Sequence, residues 1–360
     1  MKILFLIPHL NLAASNRYRV YQYLPYLQNQ GFETTVRPFV DTAYFYKTLY
    51  QPNHLIRKLA YSLRSTQRRL LDLNLVRKHD IVFIQRECLP FGPAILEEFI
   101  SRLGKPIIYD FDDAVFLPNV SQANRLIGWL KFPSKTKTII HLSNSIIAGN
   151  EYLRDYAIRF NTNTIVIPTS IDTGYYFTKK KSDTKQEPIR IGWVGGHTTL
   201  SYLHEIDDVL AKLSQVYRVQ LIVVGGVYQI PGVEVVSKPW SLEDELNDLL
   251  SLDIGIMPMP DNPWTRGKCG FKAIQYFGVG IPALASPVGV NNQIIQHGKN
   301  GFLATTQTEW YDYLSMLIKD PSLRIEMGMN GRKTVEAHYS LKANAPKIVN
   351  VIQQTIRQNQ

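Results

Sequence analysis

Two lysines four residues apart, Lys268 and Lys272, stand at the start of a short helical pattern running from about Phe271 to Phe277. The positive end of a helix and its backbone N–H groups favour an anion, so lysines placed there make a phosphate cradle. A glycine pair, Gly195 and Gly196, follows the apolar run IRIGWV and precedes a second helical stretch near Thr198. Glycine permits close backbone approach, with His197 and Thr198 beside it at the next helix start. Three carboxylates, Asp110, Asp112 and Asp113, follow the run KPIIY. Such a cluster suits a hard cation, a proton acceptor or a helix cap. His9 and the segment carrying Asn16, Arg17 and Arg19 follow the first apolar run, and an arginine fork can grip phosphate in two places. Arg86 with Glu87, Asn150 with Glu151, and the trio Asp261, Trp264 and Arg266 also follow apolar runs. There is no GxSxG, no zinc spacing and no P-loop, so no nucleophile stands out.

The elements that must position these residues are legible as alternating strand-like runs and helical patterns, the signature of parallel α/β units. Strands are expected at Lys2–Ile7, Glu33–Arg37, Ile81–Gln85, Pro106–Tyr109, Ser145–Ala148 and Thr164–Ile167. A second set is expected at Ile189–Val194, Gln220–Val224, Val233–Val236, Asp253–Met257, Pro282–Ala285 and Gly301–Ala304. A continuous helix is expected from about Arg17 to Gln30, and the Phe271 helix is expected to stop at Gly278 and Gly280. The polar, lysine-rich stretch 172–188 reads as a linker. It separates a first domain, 1–172, from a second, 173–342, with a final helix over 343–360. Ligands of doubly wound sheets bind beyond the carboxyl ends of the strands, where every motif above falls.

The stretch KCGFKAIQYFGVGIPALASPV from Lys268 resembles the donor-site motif of the retaining glycosyltransferases of family 4, the glycosyl transferases group 1. Lys272, Tyr276, Phe277, Gly280 and Pro282 fall on the family pattern. GWVGGHTTLSYL, DIGIMPMPDNPW, GVNNQIIQHGKNGFLA, SNRYRVYQYLPYL, YDFDDAVF and AGNEYLRDY fit the same family in the same order, from Met1 to about Ser340. The resemblance implies the α/β GT-B fold, two Rossmann-like doubly wound domains facing across a cleft. It implies an acceptor-binding first domain, a donor-binding second domain and a last helix crossing back to the first. The co-substrate would be a nucleoside diphosphate sugar, with no cofactor and no catalytic metal. Carried over residue by residue, Lys268 and Lys272 stabilise the leaving diphosphate, and Asp112 or Asp113 serves the acceptor hydroxyl. Gly195, Gly196, His197, Thr198, Arg266 and Gln275 line the donor. His9, Asn16, Arg17, Arg19, Arg86 and Asn150 meet acceptor or phosphate. Two family glutamates are missing: the one that receives the ribose hydroxyls is Gln275 here, and its companion is Gly267. Gln275 keeps one acceptor oxygen without the charge, and Gly267 keeps nothing. Those two positions sustain a contrasting reading, a non-catalytic sugar-nucleotide-binding or scaffold protein. A sugar-nucleotide epimerase of the same fold is a further alternative, disfavoured by the motif order.

At 360 residues, with 45% hydrophobic and 19% charged, the chain has the length for two domains and an ordinary globular composition. Two distant cysteines suit a reducing cytosol and argue against a disulfide framework. No run approaches the roughly 18–20 apolar residues of a membrane span. The net charge of +10 calls for an anionic partner. Nucleic acid is disfavoured because no binding module accompanies the charge. Between His54 and His79, seven Arg or Lys alternate with Leu55, Leu59, Leu63, Leu70 and Leu73 at helical spacing. This basic amphipathic helix, or helix pair, has two readings. Its leucines pack on the body of the protein, or it docks on an anionic membrane surface through cations such as Arg64, Arg68 and Arg69.

Overall fold

The computed structural model describes residues 1–49, 51, 54–118, 131–178 and 188–359. The chain forms two compact units. The first comprises 1–169 with 344–360, and the second 170–343. Most of the expected linker, 179–187, lies outside the described residues, while Tyr176, just before it, is buried in the second unit.

The first unit is built on β1 (Lys2–His9), β2 (Glu33–Val40), β3 (Ile81–Gln85), β4 (Ile107–Phe111), β5 (Ser145–Ala148) and β6 (Thr164–Val166), in the order β2-β1-β3-β4-β5-β6. Every pairing is parallel. β3, β4 and β5 are buried along their whole length, which is why they read as largely apolar runs, interrupted in β4 by Asp110, rather than as alternation. The final helix, Leu341–Arg357, closes onto this sheet, where Ser145 Oγ meets Thr355 Oγ1 at 2.6 Å.

The second unit carries β7 (Ile189–Val194), β8 (Val219–Val224), β9 (Glu234–Lys238), β10 (Ile254–Met257), β11 (Ala283–Ala285) and β12 (Gly301–Leu303), in the order β12-β11-β10-β7-β8-β9. Its core gathers Trp193, Leu221, Ile256, Leu284, Trp310 and Leu314. In both sheets the order reverses beside the first strand, between β1 and β3 and between β7 and β10. Such a reversal opens a crevice beyond the strand ends, the usual ligand position in a doubly wound sheet.

Two helical expectations need correction, and a third, the stop at Gly278 and Gly280, holds. The helix expected over residues 17–30 is broken into α1 (Ala14–Arg19), a single 3-10 turn and α2 (Leu24–Asn29). Val20 leaves helical geometry at φ −128°, and Pro25 has no N–H to give to the turn before it. In the second unit Gly278 is the last residue of the Phe271 helix, and Gly280, at φ +75°, makes the turn. After α3 (Ala43–Leu49), the basic segment forms one unbroken helix, α4 (Leu55–Lys78). Most of its leucines do not pack on the body; the exceptions lie in its last turns, where Leu73 and Leu75 are half-buried and Val76 is buried. Leu55, Leu59, Leu63 and Leu70 are exposed, while Lys58, Ser65, Arg69 and Asp72 face inward. The inward polar groups meet chain ends that need donors. Arg69 donates to the carbonyls of Ile7, Arg37 and Cys88, and Arg68 to those of Pro38 and Phe39. Arg68 and Arg69 are therefore structural and do not serve as surface cations.

Candidate functional site

In the second unit, β7 delivers Gly195 and Gly196 to the crevice, and a short helix, His197–Leu200, follows. A Cβ on Gly195 would stand 2.6 Å from the Trp193 ring and 2.8 Å from Lys272 Cε. No other residue fits without displacing one of them. Lys272 thus lies along the glycine loop with its ammonium 5.1 Å from the centre of the Trp193 ring. The Phe271–Gly278 helix that carries it opens at Gly270, φ +63°, without a side-chain cap. Loop, helix start and ammonium together have the chemistry of a candidate anion site. Lys268 lies 4.8 Å from the Trp264 ring centre, and Arg266 forms a two-point pair with Asp261 at 2.6 and 3.0 Å. Thr198 is exposed beyond the loop, and for His197 only the backbone is described.

Gln275 sits one turn along the same helix, buried, and its surroundings explain what an amide does there. Its Nε2 donates to Tyr176 Oη at 3.2 Å. Tyr176 in turn donates to Glu245 Oε1 at 2.7 Å, and Glu245 Oε2 accepts from Trp240 Nε1 at 2.9 Å. A phenol has one proton. Committed to the Glu245 carboxylate, the Tyr176 oxygen can only accept from Gln275, which turns Nε2 toward it and Oε1 away. Among the described residues Oε1 has no hydrogen-bond partner. Arg332 secures the Tyr176 segment by donating to the carbonyls of Tyr176, Gly278 and Thr173. Sequence reasoning missed Tyr176, Trp240 and Glu245. Tyr176 stands 99 positions from Gln275, and no local pattern could have linked them. Gly267, the other departure from the family, is a buried helix end with ordinary helical geometry. Tyr276, next to Gln275, is a brace: it accepts from Val194 N and donates toward Gly192 and Ile256 carbonyls, all at 3.2 Å.

In the first unit the loops after β1 and β3 and the end of β4 bring together most of the sequence-picked polar residues. Asn16 Nδ2 donates to Gln85 Oε1 at 2.9 Å, and Gln85 Nε2 donates to Ser15 Oγ at 2.8 Å. Arg86, held at φ +62°, forks to Asp112 Oδ1 through Nε at 2.8 Å and to Asp113 Oδ2 at 2.5 Å. A left-handed arginine is strained, and such strain gathers at functional sites. Burial alone would raise the Asp112 pKa, but Arg86, Arg19 and a hydrogen bond from Ser15 hold it below the usual carboxylate value. It is therefore an ionised acceptor and a weak base. His9 presents an enclosed Nδ1 with no hydrogen-bond partner among the described residues and meets Tyr46 edge-on at 5.6 Å. Burial and the nearby Arg86 push its pKa down to about 3, so the ring is neutral.

Other sequence-picked residues take structural places. Arg19 is fully engaged, with Nε and Nη2 on Asp110 and Nη1 on the Ile167 carbonyl at 2.6 Å. It ties α1 to β4, and its side chain, 2% exposed, is buried away from any phosphate. Arg17 lies over the Tyr18 ring at 4.6 Å. Asn150 caps the Glu151–Ala157 helix by accepting from Leu153 N at 2.9 Å. Asp110, Asp112 and Asp113 each face a guanidinium rather than one another. Among the described residues no His, Cys, Asp or Glu cluster could hold a metal ion.

Residues 188–320, most of the second unit, match the family Glycosyl transferases group 1. Among solved structures, a sucrose-phosphate synthase from Thermosynechococcus elongatus is similar at TM-score 0.67 and 15% identity, covering 99% of this chain and 100% of its own. HepE from Anabaena, solved with UDP and glucose, is similar at TM-score 0.68 and 16% identity over 98% and 100%. The lipopolysaccharide outer core galactosyltransferase WaaB gives 0.64 and 12% over 98% and 99%. No curated protein matches the chain in sequence. The two parallel six-stranded sheets are those of the GT-B glycosyltransferases.

Proposed function

We propose that the protein is a retaining glycosyltransferase. It moves a sugar from a nucleoside diphosphate sugar, with UDP or GDP as carrier, to a hydroxyl of a saccharide or lipid-linked acceptor. The observation that carries the reading is Lys272 laid along the Gly195 loop at a helix start, within the segment that matches the family. A departing diphosphate develops charge, and preorganised donors aimed at it lower the barrier without a nucleophile. Lys268 and Lys272 supply positive charge where other enzymes use a metal ion, so turnover is expected to survive chelation. Gln275 Oε1 is the acceptor for the donor's ribose, oriented through Tyr176 by Glu245. In the first unit, the Arg86–Asp112–Asp113 cluster with His9 orients the acceptor hydroxyl. Two buried cysteines outside any disulfide fit a cytoplasmic setting, and polysaccharide, cell-surface or glycolipid synthesis is the setting we assign.

The competing reading, a non-catalytic sugar-nucleotide binder, rests on Gly267 and Gln275 in place of glutamates. One experiment separates the two. Thermal unfolding with UDP-, GDP-, ADP- and dTDP-sugars, with and without Mg²⁺, identifies the donor, since saturation near 100 Kd adds about 2.7 kcal/mol. Release of free nucleotide from that donor in the presence of acceptor saccharides then reports transfer. Stabilisation without release supports the binder, and no stabilisation by any nucleotide removes both readings.

A further inference from the structure

We infer that α4 is a docking face for an anionic lipid bilayer, an inference that does not depend on the reaction assigned above. An amphipathic surface helix ordinarily turns its apolar stripe inward, and α4 does the reverse. Ile56, Leu59, Leu63 and Leu70 recur at intervals of three, four and seven, with Leu71 beside the last, on the side opposite Lys58, Ser65, Arg69 and Asp72. Ile56 is 83% exposed, Leu63 66% and Leu71 67%. The inverted arrangement is held from below, because Arg69 and Asp72 pair with each other and Arg69 fills carbonyls at Ile7 and Arg37. Rolling α4 to bury its leucines would strand those charges, so the stripe is fixed outward by the fold.

Charge selects the occupant. The stripe is flanked by exposed Arg57, Arg64, Arg77 and Lys78, and the sole acid of α4, Asp72, is buried. A second copy of the chain meeting stripe to stripe would bring cations against cations with no exposed acid on α4 to answer them. A bilayer bearing anionic headgroups answers both halves, taking the leucines among its acyl chains and the cations at its surface. At 1.5 Å per residue the helix offers about 36 Å of contact lying flat. Next to its N-terminal end Tyr44, 52% exposed, accepts from Arg57 Nη1 at 3.1 Å. An aromatic ring with a polar tip beside a cation suits the headgroup level.

Vesicle co-sedimentation tests the inference, using phosphatidylcholine alone and phosphatidylcholine mixed with phosphatidylglycerol. The full chain is expected to bind the mixed vesicles, to leave the zwitterionic ones free, and to release as salt rises. Leu59→Ser/Leu63→Ser/Leu70→Ser should weaken binding by about 10-fold or more while keeping its thermal midpoint, because those side chains already face solvent. Arg57→Ser/Arg64→Ser should weaken binding to mixed vesicles with the apolar stripe intact. Absence of binding by the unaltered chain, or undiminished binding by the leucine variant, overturns the proposal. So does a concentration-dependent dimer that the leucine variant abolishes, which would give the stripe to a second copy.

Discussion

The Tyr176 hydroxyl donates to Glu245 at 2.7 Å and, on the same oxygen, receives the Gln275 amide at 3.2 Å. That single phenol makes the orientation of Gln275 a consequence of a carboxylate on another helix. An amide whose two ends differ only by a flip needs such a reference. Tyr176→Phe removes it. We expect the donor KM to rise about 3- to 10-fold with kcat nearly kept, since one ordering hydrogen bond is worth about 1 kcal/mol. The preference for a ribose donor over its 2′-deoxyribose analogue should shrink in parallel. A purely structural tyrosine would lower the thermal midpoint and leave that preference untouched.

Gln275→Glu, which restores the family residue, is expected to impair the protein. Two carboxylates would then compete for one phenolic proton, and like charges that close cannot both ionise at ordinary cost. Donor affinity should fall below that of the unaltered chain at neutral pH and recover in part on acidification. An increase in turnover with Glu at 275 would refute the relay.

How much of this was legible beforehand depends on the range of the interaction. Strands such as β3 and β5 announce themselves because burial on both faces leaves a nearly continuous apolar run. Gly195 and Lys272 were each visible beside a strand end or helix start. That one leans on the other was not, because the contact spans 77 positions of intervening chain. α4 shows the limit most plainly. The spacing of its leucines fixed the helix and its stripe, but not which side faces in. That choice was made by carbonyls at the ends of β1 and β2, which recruit Arg69 and Arg68.

Lys272→Ala should lower turnover by about 10²-fold, the usual loss for one preorganised charge contact, with thermal stability little changed. Gly195→Ala tests the same site from the other side. Its methyl group would press on Trp193 and on the Lys272 stem, so turnover should fall with Lys272 still present. If both variants turn over normally, the anion site lies elsewhere.

The Arg19–Asp110 pair gives a contrasting expectation. Both side chains are 2% exposed, and removing one partner leaves a buried charge. Arg19→Ala is therefore expected to cost about 3–5 kcal/mol of stability, read by chemical denaturation. The donor KM of the fraction that remains folded should be unchanged, because the Arg19 side chain is buried against Asp110 and the Ile167 carbonyl.

His9 sets the acid limb of stability. Its pKa is about 3 in the folded protein against an ordinary 6.5, so between those values the unfolded chain holds a proton that the folded one refuses. Stability therefore falls as pH drops through that window, by at most about 1.4 kcal/mol per pH unit from this residue. Asp112 acts lower down. Its depressed pKa stabilises the fold above the ordinary carboxylate value of 3.8, and that contribution is lost as pH falls through its folded value. His9→Gln should flatten the stability curve between about pH 4 and 6 and leave the steeper loss below it. Asp112→Asn should soften only the lower loss, and it leaves Arg86 with the Asp113 carboxylate in place of two. Urea unfolding of the three proteins at stepped pH checks both. A His9→Gln curve parallel to that of the unaltered chain through the upper window would mean that His9 takes up its proton in the folded state.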